Sequence, residues 1–258
     1  MRLLKYRPCT VLGISISFVV IVPLLSDWIF EEKFVKLFYR LVNGFIKILL
    51  KAVCRIDSTE LDKVPTKGPY ILVTNHINFL EAPFLYLFLR PRRTIAVGKT
   101  ELWDKAFTRF LMNLWEVLPI KRGAIDIQGM KNCIKVLEDG DFLCLAPEGT
   151  RSGNGKLLSG KAGVIMFAQK GDAPIIPLGH WGGENLSSNL KKLKRTPITI
   201  KVGEPVNITI PEGVKSDAKV RQQIADEVMI QIARLMPEEY HGVYTGKTDE
   251  EPQFLTKV

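Results

Sequence analysis

From residue 70 onward, short apolar runs alternate with stretches whose apolar residues recur every three or four positions. These are the periods of buried strands and amphipathic helices. Tyr70–Thr74 follows the turn Pro65-Thr66-Lys67-Gly68-Pro69 and reads as a buried strand. A helix is predicted from about Ala82, where Pro83 suits a first helical turn. Further strands are predicted at 94–97, 117–120, 142–145, 175–178 and 198–202. Helices are predicted over 102–115, 125–137 (stopped near Gly140), 160–169 and 216–235. This alternation predicts an α/β fold, a single domain with a mixed, largely parallel sheet flanked by helices. Ligands of such sheets bind at the carboxyl ends of the strands, so the residues just past each strand matter most.

The N-terminal pattern is different. Residues 8–25 carry no charge and have about the minimum length for spanning a bilayer. Arg2, Lys5 and Arg7 precede them, as in a signal peptide, but the bulky Asp27-Trp28-Ile29-Phe30 offers no small-x-small cleavage site. A retained anchor is expected instead. Over 33–51 the polar residues are Lys33, Lys36, Arg40, Asn43, Lys47 and Lys51. On a helix they fall within an arc of roughly 80°. A narrow cationic stripe on an apolar helix suits an interfacial position, with lysines reaching up to headgroups. The expected organisation is a two-helix membrane-associating segment over 1–55, an α/β domain over 56–240 and a loosely held polar tail over 241–258.

Composition narrows the partners. Hydrophobic residues make up 46% of the 258, enough for a sizeable core. A net charge of +9 favours an anionic partner. The chain has no RNA-stacking, helix-turn-helix or zinc-finger pattern, which argues against nucleic acid. Cys9, Cys54, Cys133 and Cys144 lack C-x-x-C spacing and have mostly apolar neighbours, as reduced thiols do.

Two motifs, each just after a predicted strand, carry the chemistry. Asn75-His76-Ile77-Asn78-Phe79-Leu80-Glu81 sets a carboxylate five residues after a histidine. On one regular helix those side chains would diverge by about 140°. The pair works only if His76 lies in the loop and Glu81 opens the helix, where the helix dipole keeps the carboxylate ionised. Glu81 can then fix the imidazole tautomer and leave the other nitrogen to take a proton. The other histidines, His180 in a Gly-rich stretch and His241 in the tail, compete poorly. No metal-ligand spacing is present. In the second motif, Pro147-Glu148-Gly149-Thr150-Arg151-Ser152, a guanidinium and a hydroxyl flank a flexible glycine, a natural grip for phosphate. Lys121 and Arg122 could add positive charge to the same site. Together they point to an enzyme that activates a hydroxyl on a phosphorylated substrate. A near-miss phosphate loop, Gly155 to Ala162, has Ala where Ser or Thr would hold magnesium. It leaves a membrane-tethered nucleotide-binding protein as a rival, and a non-catalytic lipid-binding protein as a blander one.

With these residues in place, the chain resembles the glycerolipid acyltransferase family, most of all the bacterial 1-acylglycerol-3-phosphate acyltransferases. The resemblance spans roughly 69–205 and rests on Asn75-His76 with Glu81, Pro119-Ile120-Lys121-Arg122, Pro147 to Ser152 and Ile175-Ile176-Pro177-Leu178, with Lys99-Thr100-Glu101-Leu102 between the first two. It implies acyl transfer from acyl-CoA or acyl carrier protein to lysophosphatidic acid at a cell membrane, on the cytoplasmic face, without metal or bound cofactor. His76 would be the base and Glu81 its partner. Arg122, Glu148, Gly149, Thr150, Arg151 and, less centrally, Lys121 would form the acceptor-phosphate region. The family usually has Asp where this chain has Glu81. That departure keeps glycerol 3-phosphate and glycolipids open as acceptors.

Overall fold

The computed structural model describes residues 25–121 and 126–258. The expected anchor over 8–25 therefore falls almost wholly outside the described residues. α1 (Leu25–Val53) runs straight into the short edge strand β1 (Cys54–Asp57). The strands that follow alternate with helices. β2 (Tyr70–Thr74) leads to α2 (Glu81–Phe88), β3 (Thr94–Lys99) to α3 (Ala106–Leu114), and β4 (Leu118–Ile120) to α4 (Ile127–Glu138). β5 (Phe142–Leu145) leads to α5 (Gly163–Gly171), and β6 (Ile175–Trp181) to the one-and-a-half-turn α6 (Leu186–Lys191). β7 (Thr196–Val202) and β8 (Val206–Ile208) precede α7 (Ala218–Ala233), and β9 (Leu255–Lys257) ends the chain.

The strand order is β1-β7-β6-β2-β5-β3-β4, with β8 paired to β6 and β9 to β8. From β6 to β4 all neighbours are parallel. β7 is antiparallel to β6, and β1 runs parallel to β7. Central strands of a parallel sheet are covered on both faces, so they read as continuous apolar runs. Ile71 and Val73 of β2 face one core with α4, α5 and α7, while Leu72 faces the other with α2 and the end of α1. The expected mixed, largely parallel α/β sheet is thus the fold.

Three expectations need correction. The predicted 102–115 helix is a single 3-10 stretch (Thr100–Trp103) followed by α3, because Lys105 is extended and breaks the register. The tail is not loosely held: Tyr244, Phe254 and Leu255 are buried, and β9 extends the sheet. Finally, α1 turns its expected polar stripe partly inward. Trp115 Nε1 donates to Asn43 Oδ1 at 3.2 Å, and Lys47 lies over the Phe88 ring. Leu41, Phe45, Ile48 and Leu49 are left exposed. Among the described residues no helix is long and apolar enough to cross a membrane.

Candidate active site

Both chemistry-bearing motifs leave the carboxyl ends of adjacent parallel strands, β2 and β5. His76 sits in the loop after β2, and α2 begins at Glu81. Leu80 provides no side-chain cap; the start of the helix is organised by Glu81 itself. Its Oε1 accepts from the Ile77 and Asn78 N–H groups at 2.9 and 2.8 Å, folding the loop back over the carboxylate. Its Oε2 lies 3.3 Å from His76 Nδ1. Burial pushes the Glu81 carboxyl up, but the bond to His76 and the Asn78 N–H outweigh it, and the group is held below its ordinary value. A buried carboxylate on Nδ1 leaves Nε2 as the free nitrogen of a side chain that is still 25% exposed.

Behind this pair stands His180, which the Gly-rich local sequence concealed. β6 runs three residues past its predicted end and carries His180 into the core, fully enclosed. Asn75 brackets it: Asn75 Nδ2 donates to His180 O at 2.8 Å, and the His180 N–H donates to Asn75 Oδ1 at 3.0 Å. His180 Nε2 lies 2.9 Å from Asn75 O, so that nitrogen carries the proton. Burial holds the ring below the ordinary histidine value, with Glu81 pulling the other way. A neutral His180 therefore anchors the start of the loop that presents His76.

The second motif is clipped onto the first. The Ser152 N–H donates to His76 O at 2.8 Å, and the Gly153 N–H to Ile77 O at 3.1 Å. Glu148, expected from the resemblance to meet the acceptor, takes a different part. It is buried, with Oε1 accepting from the His76 N–H at 2.8 Å and Oε2 from the Leu158 N–H at 3.1 Å. Both oxygens are used in holding the two loops together. Thr150 and Arg151, by contrast, are exposed at the turn.

Gly149 makes that turn possible. Its φ of +66° lies in the left-handed region, and a Cβ there would come within 3.1–3.3 Å of the Lys161 side chain. Lys161 thus lies against Gly149, beside Thr150 and Arg151, a neighbour that the phosphate-loop reading obscured. That reading itself fails on geometry. No strand runs into 155–161, and the Gly160 N–H is occupied by the Tyr244 hydroxyl at 2.9 Å. Lys121 is exposed at the end of β4, two strands from β5, about 10 Å laterally at ordinary sheet spacing. Arg122 lies outside the described residues. Cys133 and Cys144 are buried and pushed up to about 12 by burial, which makes them poor nucleophiles.

The arrangement is a part-exposed imidazole backed by a buried carboxylate, next to a turn bearing a guanidinium, a hydroxyl and an ammonium. It can deprotonate a hydroxyl whose own molecule is held by an anionic group a short distance away. The family model described as Acyltransferase matches residues 55–181, which include both loops. The 1-acyl-sn-glycerol-3-phosphate acyltransferase of Limnanthes alba is 29% identical over 203 residues, covering 76% of this chain and 70% of that one. The Bacillus subtilis (strain 168) protein of the same name is 22% identical over 169 residues, covering 66% and 82%. The crystal structure of the 1-acyl-sn-glycerophosphate (LPA) acyltransferase, PlsC, from Thermotoga maritima superposes with a TM-score of 0.55 at 24% identity, covering 77% and 79%. At that identity the superposition establishes a shared fold.

Proposed function

This chain belongs to the acyltransferase family through its residues 55–181, and on that premise we propose that it is a 1-acylglycerol-3-phosphate O-acyltransferase. It moves an acyl chain from acyl-CoA or acyl carrier protein to lysophosphatidic acid and releases phosphatidic acid. The observation that carries this reading is the His76–Glu81 pair, 3.3 Å apart with Nε2 open, clipped to the Thr150-Arg151 turn.

In this mechanism Thr150, Arg151 and Lys161 hold the acceptor phosphate, with Lys121 and Arg122 further out. His76 Nε2 takes the proton of the free glycerol hydroxyl as its oxygen attacks the thioester carbonyl. The resulting imidazolium is stabilised by the ionised Glu81. As the tetrahedral intermediate collapses, the C–S bond breaks, and the leaving thiolate takes the proton from Nε2. Attack is direct, in keeping with the buried, unreactive thiols of Cys133 and Cys144. The chain's own side chains supply all the proton traffic, and no metal or bound cofactor enters the scheme.

The acceptor is a membrane lipid, and the N-terminal region fits that source. α1 leaves Leu41, Phe45, Ile48 and Leu49 exposed, a surface suited to the interfacial layer of a bilayer. In this reading the N-terminal segment associates with the cell membrane, and catalysis takes place on the cytoplasmic face, where acyl-CoA and acyl carrier protein reside. The test is to incubate the purified protein with an acyl thioester and lysophosphatidic acid, following thiol release and phosphatidic acid together. Stoichiometric appearance of both is expected. A marked preference for glycerol 3-phosphate or a glycolipid acceptor would reassign the substrate, and thiol release without lipid product would overturn the transfer.

A further inference from the structure

The turn that joins α6 to β7 exposes two leucines among cations. Leu190 is exposed, and Leu193 is 95% exposed, the most open of the large apolar side chains among the described residues. Lys191, Lys192 and Lys194 surround them, all exposed, and none forms an ion pair among the described residues. The turn is nevertheless built. The Leu193 N–H donates to Leu190 O at 3.0 Å, the Lys194 N–H to Asn189 O at 2.9 Å, and Arg195 Nη2 to Cys54 O at 2.8 Å. Leu193 has a φ of +53°, a left-handed conformation in which glycine or asparagine would be cheaper. That conformation closes the C-terminus of α6 and its backbone cost is offset by these bonds, but the Leu193 side chain stays open to water.

Its position is informative. β7 is antiparallel to β6, with Thr199 opposite Trp181, so the turn before β7 lies at the carboxyl end of β6. That is the end from which the His76 loop emerges. Asn78 Nδ2 donates to Gly183 O at 2.8 Å, tying this loop to the segment that enters α6, and Phe79 beside it is exposed. Thr196 also pairs with Cys54, the residue after α1, so the turn adjoins the end of the helix that exposes Ile48 and Leu49.

We infer that the Leu190–Arg195 turn is a second, charge-dependent membrane contact. It would place Leu193 below the headgroups of an anionic bilayer, with Lys191, Lys192 and Lys194 on lipid phosphates, and so set the site opening against the leaflet. The inference builds on the lipid-acceptor reading above. A bilayer suits this surface better than a protein partner does. An exposed six-residue turn offers far less than the ~800 Å² per partner of a stable protein interface. A lipid surface needs only apolar tips with basic neighbours.

The experiment uses the full chain with Cys9→Ser and Leu193→Cys, labelled at residue 193 with an environment-sensitive fluorophore. The remaining cysteines, Cys54, Cys133 and Cys144, are buried. On phosphatidylcholine vesicles containing phosphatidylglycerol, the emission should shift to the blue and become shielded from aqueous iodide. Pure phosphatidylcholine should produce little change. Replacing Lys191, Lys192 and Lys194 together by Ala should weaken partition onto the mixed vesicles about tenfold or more and flatten its salt dependence. A label that stays open to iodide while the chain is vesicle-bound would overturn the inference. So would a triple variant that binds like the parent, or a shift produced by acidic acyl carrier protein without lipid. Because the readout is binding, it is independent of whether lysophosphatidic acid is the acceptor, which the acyl-transfer assay decides separately.

Discussion

His76 is held on one side and open on the other, and each neighbour has a separate task. Glu81 orients the ring, His180 and Asn75 fix the strand end behind it, and Glu148 pins its backbone N–H. Replacing Glu81 by Gln keeps the shape but removes the charge that stabilises the imidazolium, so kcat should fall about 100-fold with little change in KM. Steady-state kinetics on the folded variant would check this; a KM effect alone would contradict it. Glu148 belongs to stability as well. Burial pushes it up to about 7 from an ordinary 4.5, against the pull of the His76 and Leu158 N–H groups. The folded state therefore binds its proton more tightly than the unfolded chain does. The stability it contributes is complete below pH 4.5 and is lost as pH rises to about 7. Glu148→Gln cannot titrate and should flatten that part of the profile of urea midpoints. It should also cost about 1–3 kcal/mol through the backbone N–H left without an acceptor. A wild-type midpoint that climbs through this window because of Glu148 would refute the assignment.

Among the elements, those buried on both faces were the easiest to read. β2, β5 and β6 are short apolar runs between turn residues; β2 and β5 lie where their patterns put them, and β6 starts where expected but runs on to Trp181. β1, β8 and β9 each bury a single residue of three or four, so no apolar run marks them. His180 was hidden because Gly179-His180 looks like a loop. Gly179 is in fact a strand residue whose missing side chain makes room for Met236, 2.8 Å from where a Cβ would sit. The tail misled through composition, since its few buried apolar residues, Tyr244, Phe254 and Leu255, are scattered among polar ones. Tyr244 holds it through its hydroxyl. That hydroxyl accepts from the Gly160 N–H and donates to Asp226 Oδ1 at 2.8 Å, binding the tail to the segment that presents Lys161. Tyr244→Phe should lower stability by about 1–3 kcal/mol in urea titration, because the buried Gly160 N–H loses its acceptor. An unchanged midpoint would mean that the strap is incidental. In α1 the sequence revealed amphipathicity but not which side meets the domain; Trp115 and Phe88 draw Asn43 and Lys47 inward. Changing Phe45, Ile48 and Leu49 together to Ser should reduce vesicle partition by about tenfold or more while thermal stability holds. Flotation with lipid vesicles would decide it, and unchanged binding would remove α1 from the membrane.

At the scale of the molecule, one end of a largely parallel sheet gathers what acyl transfer to a lipid requires. The proposed base comes from the loop after β2 and the proposed anion-binding turn from the loop after β5, joined by two backbone bonds and one shared carboxyl group. The partners were legible because both motifs follow apolar strands, and parallel sheets present such loops at a common end. The division of labour among them was not. The resemblance grouped Glu148 with the acceptor-phosphate residues, whereas its burial and its two backbone partners make it a brace between the loops. The most direct test of this chemistry is the turnover of His76→Ala with an acyl thioester and lysophosphatidic acid, alongside its thermal midpoint. A general base at His76 predicts a loss of about 10³-fold in kcat, in the range for removing such a group, with the midpoint little changed. A folded His76→Ala protein that forms phosphatidic acid within about tenfold of the wild-type rate would contradict it.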